Sequence, residues 1–334
     1  MHNKTFSTRR TFFSHARTAL KYGLISLNIK PGEEVLIPDF VCEVVLHPLD
    51  DLGIKACYYT LYSDMSPDWG ILEKLVNDKT KAILMVQYFG QPQDISKFKF
   101  FCKRHSLALI EDNAHGYGAQ YEDQLLGTFG DIGIASPRKF HDIISGGILF
   151  QNNDILLTPQ INHIKDFPTK INHKIFKFFS KKFPRLKRYL KRKIQSRPIY
   201  EDPLLFREPK IDDFRIDQDS MCNFKTINWA KMAEIKRERY LLWENFLKNK
   251  NIIPVFETMH ETSAPQCFPA YVFDVKSAKK WFDWGWENGY YVYSWPALPE
   301  EVINTKSNVI KKWETLVCFS TDQELHLDNH TNDF

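Results

Sequence analysis

Between about residues 30 and 150 short apolar runs alternate with amphipathic segments, and this alternation constrains the fold more than any other feature of the chain. The runs are Glu34–Pro38 (EVLIP), 55–60 (KACYYT), 82–87 (AILMVQ), 107–111 (LALIE), 131–136 (DIGIAS) and Gly147–Gln151 (GILFQ). Each is too short for a buried helix and suits a strand covered on both faces. The intervening stretches 41–52, 70–76 and 95–105 have helical periodicity. Strand and helix in repeated alternation predict an α/β domain with a largely parallel sheet, whose ligands bind at the carboxyl ends of the strands. Ahead of the first run, 15–27 reads as a helix with Ser14 as its N-cap, and Pro31-Gly32 turns the chain into the strand.

Beyond this region the texture changes twice. Residues 160–200 carry no strand signal and interleave Phe, Leu and Ile with Lys and Arg. Past about 210, a long helical stretch at 228–248 precedes shorter runs beginning at 253, 270, 290 and 316, with a helix at 277–288 among them. The predicted organisation is a large α/β domain over 1–205, with a basic amphipathic insertion at about 160–200, and a smaller α+β domain over 206–334. The three prolines between 198 and 214 mark the junction.

The formal charge of +4 conceals an asymmetry, since the window 165–197 holds thirteen Lys or Arg and one acid, Asp166. A basic helix with an apolar face of Phe176, Phe179, Phe183 and Leu186 either packs on the protein body or grips an anionic membrane surface. No nucleic-acid motif accompanies the patch, so no nucleic-acid partner is expected. The six cysteines are scattered, without the spacing of a zinc site or a redox dithiol, and predict reduced thiols in a cytoplasmic protein without a structural metal. Residues 1–6 lack the apolar core of a signal peptide, and no apolar run approaches the roughly 20 residues that span a bilayer.

Two residues stand where chemistry belongs. Asp112 closes the strand LALIED, which puts its carboxylate at a carboxyl end, although many strands end in a polar residue that caps the next helix. Lys139, in Ser-Pro-Arg-Lys-Phe between two apolar runs, is either a desolvated nucleophile or a solvated loop lysine.

Taken in order, PGEEVLIP, KTKAILMVQYFGQPQDI, LALIEDNAHGYGAQYEDQLLGTFGDIGIASPRKF and SGGILF resemble the DegT/DnrJ/EryC1/StrS family of sugar aminotransferases, which depend on pyridoxal 5'-phosphate (PLP). The likeness covers about residues 10–155, with weaker echoes at NWAKMAEIKRERY, YSWPALP and LVCFSTDQELH. It implies the aspartate-aminotransferase-like α/β fold, fold type I, with Lys139 as the Schiff-base lysine and Asp112 as the partner of the pyridinium nitrogen. It also implies His115 near the ring hydroxyl and Ser136 at the phosphate. Where relatives carry Ser-Gly-Thr at their first helix, this chain has His15-Ala16-Arg17 followed by Thr18, either a modified phosphate seat or ordinary helix capping. Cys42 falls at the place of the ring-stacking aromatic, with Phe40 two residues away.

The function implied is transfer of an amino group from an amino-acid donor to a keto-sugar, nucleotide-linked, for surface polysaccharide or lipopolysaccharide synthesis. The expected assembly is a homodimer with a shared active site. The alternatives are a relative that has lost catalysis and serves as a binding or membrane-associated module, and a PLP-dependent sugar dehydratase. Dehydratases of the family carry His in place of the lysine, so Lys139 favours transamination, while His141 keeps the comparison open.

Overall fold

The structure is a computed structural model that describes residues 8–140, 143–152, 156–168, 202–204 and 207–327. The large sheet begins with a strand that periodicity did not disclose, β1 (Arg9–Phe13), followed by helix α1 (Ala16–Ser26). Then come β2 (Glu34–Pro38), α2 (Leu46–Asp51), β3 (Lys55–Tyr59), α3 (Trp69–Leu75), β4 (Thr80–Val86) and α4 (Ile95–His105). β5 (Ala108–Asn113), a β6–β7 hairpin (Gln120–Tyr121, Gln124–Leu125), β8 (Ile132–Ala135) and β9 (Gly147–Gln151) complete the α/β pattern. Short strands β10 (Lys165–Asp166) and β11 (Phe214–Arg215) join the same sheet, which therefore extends past residue 205.

The nine strands lie in the order β10-β11-β1-β9-β8-β5-β4-β2-β3. From β8 to β3 every pairing is parallel, and β9 is antiparallel to both β8 and β1. The interior strands β8 and β9 are buried along their whole length, as continuous apolar runs require.

A second unit follows: α5 (Gln218–Thr226), α6 (Trp229–Leu247), β12 (Ile253–Pro254), β13 (Cys267–Tyr271), α7 (Val275–Asn288), β14 (Val292–Tyr293), α8 (Glu300–Thr305), α9 (Ser307–Thr315) and β15 (Leu316–Ser320). Its four-stranded antiparallel sheet runs β12-β13-β15-β14. Among the described residues no helix is long and apolar enough to cross a membrane. The basic stretch 169–201 and His141 lie outside the described residues.

Several expectations need correction. Ser14 does not cap α1: His15 holds the N-cap position, no side-chain cap bond is formed there, and the Ser14 hydroxyl meets His15 Nδ1 at 3.0 Å. The segment 41–52 is a 3-10 turn (Glu43–Val45) and one short helix, because the Glu43 N–H donates across to the Ala297 carbonyl at 2.9 Å. The strand expected at 270 is shifted to Cys267–Tyr271, since the Asp274 carboxylate accepts from the Ser277 N–H at 2.8 Å and starts α7.

Candidate active site

β1, β8, β5, β4 and β2 run in one direction, so their carboxyl ends open on one edge of the sheet. β5 and β8 are neighbours in register Asp112↔Ile134 and Asn113↔Ala135, which brings Asp112 beside the chain that leads into Ser136. A 3-10 turn, Pro137–Lys139, then carries Lys139. The backbone of α1 begins against Gly147, at the head of β9. A Cβ on that glycine would lie 2.1 Å from the His15 carbonyl carbon, so only glycine lets helix and strand meet so closely.

These ends surround a cavity of about 480 Å³, within the roughly 300–1,000 Å³ of small-molecule sites. Of the residues expected at a cofactor site, Ala16, Arg17, Cys42, Asp112, His115, Ser136 and Lys139 line it. Thr18 is buried and is not among the lining residues. Cys42, not Phe40, faces the cavity; the Phe40 ring is fully buried and packs on Trp295 at 5.0 Å.

Burial governs the charges. It raises the pKa of Asp112, against which the Ala114 N–H bond (2.8 Å) and Lys139 pull it down. Burial also lowers the pKa of Lys139, which lines the cavity; Cys42, Asp112 and Glu208 resist this and Arg138 reinforces it. His115 is held neutral by burial and then by Lys139, and its Nδ1 has no hydrogen-bond partner among the described residues. Its ring stands edge-on to Trp295 at 5.2 Å. The Cys42 thiol is pushed up by burial, with Lys139 pulling the other way.

The opposite corner is positive. Arg17 and Arg138 both line the cavity, and the Nε of each is buried without a partner among the described residues. Burial and these two guanidiniums push the His15 pKa down to about 3, so its ring is neutral. Against them stands Glu208, whose Oε2 accepts from Arg17 at 2.9 Å.

The second unit supplies the facing wall with Gln266, Tyr291, Tyr293, Trp295 and Asp322. Sequence reasoning left these and Glu208 and Arg138 without roles. The echoes YSWPALP and STDQELH contain Tyr293, Trp295 and Asp322 and were their available signal. Nothing in the sequence pointed to Glu208.

The residues that line the cavity fit PLP. That cofactor needs an amine, an anion for its ring nitrogen, a hydrogen-bonding partner for its ring hydroxyl and a seat for a dianion. Lys139, Asp112, the free nitrogen of His115 and the uncapped start of α1 beside two unpaired guanidinium nitrogens match these needs.

The fold is that of the PLP-dependent aminotransferases of fold type I. PseC of Helicobacter pylori, an aminotransferase of pseudoaminic acid biosynthesis, superposes with a TM-score of 0.68 at 17% identity over 95% of this chain and 83% of its own. The PLP-form of the Streptococcus pneumoniae sugar aminotransferase Spr1654 gives 0.68 at 16% over 97% and 84%. Residues 11–175 match the model of the DegT/DnrJ/EryC1/StrS aminotransferase family. Curated relatives include GDP-perosamine synthases of Vibrio cholerae (29% identical, 44% of this chain and 41% of the relative) and Escherichia coli O157:H7 (30%, 46% and 43%). The chain thus spans less than half the length of these relatives.

Proposed function

We propose that this protein is a PLP-dependent aminotransferase that moves an amino group from an amino-acid donor to a nucleotide-linked keto-sugar, in surface polysaccharide or lipopolysaccharide synthesis. The observation that carries the reading is the meeting of Lys139 and Asp112 from two adjacent strand ends in one cavity, opposite a cationic corner whose two Nε atoms have no partner among the described residues. The sugar-nucleotide synthases among its relatives support the substrate class.

When bound, PLP supplies an electrophilic carbonyl carbon and a ring that accepts an electron pair. Lys139 would hold it covalently, and the lowered pKa of that amine enlarges its neutral, nucleophilic fraction near neutral pH. Once displaced, the same amine stands ready to take a proton from the donor's α-carbon and return one. The Asp112 carboxylate, desolvated and with one oxygen already on the Ala114 N–H, would accept from the ring nitrogen and keep it protonated. His115 would meet the ring hydroxyl through its free nitrogen, and Cys42 and Trp295 would flank the ring. Ser136, Ala16 and Arg17 would hold the phosphate, and Thr18 would act only through the helix.

A homodimer with a shared site is part of this reading. It is supported by Tyr291, which lines the cavity and is nevertheless 54% exposed. A cytoplasmic location fits the substrates. Contact of 165–197 with an anionic membrane is tested by co-sedimentation with anionic liposomes, with and without those residues.

The deciding experiment is an absorption spectrum with added PLP. Wild type should develop a near-visible band that borohydride converts to an adduct on Lys139, and Lys139→Ala should show neither. A wild type without the band would end this reading, while a spectrum without turnover of keto-sugar and amino donor would redirect it to dehydration.

A further inference from the structure

Arg17 and Arg138 form a cationic pair whose charge is opposed within the cavity by Glu208. The Arg17 side chain is only 9% exposed, whereas the Glu208 side chain is 47% exposed. The carboxylate is therefore the partner that can leave, and the guanidinium is the partner that cannot.

Glu208, which lines the cavity, belongs to a segment held by ion pairs on both sides. Arg207 reaches Glu43 at 3.2 Å and Glu300 at 3.3 Å, Lys210 pairs with Asp51, and Asp213 meets Lys21 at 2.8 Å. Arg207, Lys210 and Asp213 thus bind different elements on either side of Glu208, which holds its backbone in place while its side chain is half-exposed. Exposed pairs of this kind are individually weak and are screened by salt.

A carboxylate offers one negative charge to two guanidiniums, and it satisfies Arg17 through one nitrogen only. The Nε atoms of Arg17 and Arg138 stay unpartnered among the described residues, as does the α1 start in side-chain terms. A phosphate dianion has the charge and the three free oxygens to engage these groups together, with the charge-assisted bonds that favour Arg.

We propose that Glu208 is a built-in counter-anion for the Arg17–Arg138 pair, which occupies the anion seat when it is empty and yields it to the phosphate of PLP. Arg138 is thereby assigned as the second cation of that seat. This rests on the proposed function for the identity of the ligand, although the competition itself is a property of any phosphate.

The test uses the full chain and binding alone, by calorimetry and by the emission of Trp295, which lines the cavity. Inorganic phosphate is the first probe. Glu208→Gln should tighten it about tenfold and Arg138→Met should weaken it about tenfold, the scale of one charge-assisted bond. PLP should follow phosphate in both variants, whereas pyridoxal, without the phosphate, should bind all three proteins alike. Weaker or unchanged phosphate binding in Glu208→Gln would overturn the proposal, as would equal shifts for pyridoxal and PLP. A gain for GDP with none for PLP would assign the seat to the substrate's diphosphate and overturn it too. If phosphate behaves as stated while wild type forms no PLP band, the counter-anion stands and the aminotransferase reading falls.

Discussion

His15 illustrates how neighbouring side chains settle one another's charge. It sits between Arg17 and Arg138 at the start of α1, and burial with those two cations takes its pKa from the ordinary 6.5 to about 3. His115 moves in the same direction, for burial and for Lys139. An unfolded histidine takes up a proton as pH falls through 6.5, while the folded His15 does not until near 3. Within that window the unfolded chain binds more protons, so stability declines with acidification, by at most about 1.4 kcal/mol per pH unit from one histidine. Urea midpoints at pH 7 and pH 5 should reveal this decline, and His15→Asn should recover up to about 2 kcal/mol of it. An unchanged pH difference in the variant would show that His15 is not buried as a neutral ring. At this scale the sequence pointed to Lys139, Asp112 and His115 because they fall in one ordered motif, and the structure brings the three to one cavity. Glu208 remained hidden because it reaches the cavity through a 191-residue separation from Arg17 that no local pattern encodes.

Among the elements, the junction of α1 and β9 is the most demanding. The close approach at Gly147 lets the head of β9 lie under the His15-Ala16 peptide and fixes where the Arg17 side chain enters the cavity. Gly147→Ala would drive a methyl into backbone atoms, not into a side chain that can turn aside. We expect a loss of about 1–3 kcal/mol from such overpacking, read as a lowered urea midpoint, together with weaker phosphate binding as the helix start moves. Normal stability and normal phosphate affinity would contradict the assigned contact. The Gly-Gly pair was visible in the sequence, and so were β2 and β9, whose apolar runs coincide with the observed bounds. β1 was not, because RRTFF carries two arginines and becomes a strand only through its ladder with β9. The long segment 41–52 misled for the converse reason: its periodicity is helical, but a bond to the Ala297 carbonyl draws Glu43 out of the helix.

The whole molecule is joined behind the cavity by Lys236, a residue of α6 that is 1% exposed. Its ammonium pairs with Asp322, lies 3.4 Å from the Thr321 hydroxyl and stands 4.8 Å over the ring of Phe140, the residue after Lys139. One charge thus ties the second unit's cavity wall to the turn that carries Lys139. The two partners are unequal, since the Asp322 side chain is 41% exposed. Removing the lysine leaves a carboxylate that water can reach, while removing the aspartate leaves an ammonium in the interior. Asp322→Ala should therefore cost about 3–5 kcal/mol, the penalty of an uncompensated buried charge, and Lys236→Met distinctly less. Burial already lowers the Lys236 pKa, and loss of Asp322 removes the group that resists this. The unfolded lysine then holds its proton to higher pH than the folded one. The stability deficit of Asp322→Ala should accordingly shrink as pH rises towards the unfolded lysine value, and that of Lys236→Met should show no such trend. Guanidinium unfolding of both variants at pH 7 and pH 9.5 measures the difference. Equal costs at pH 7, or a deficit in Asp322→Ala that grows with pH, would mean that the ammonium finds water or another anion once Asp322 is gone, and that the two units are held by their apolar contact instead.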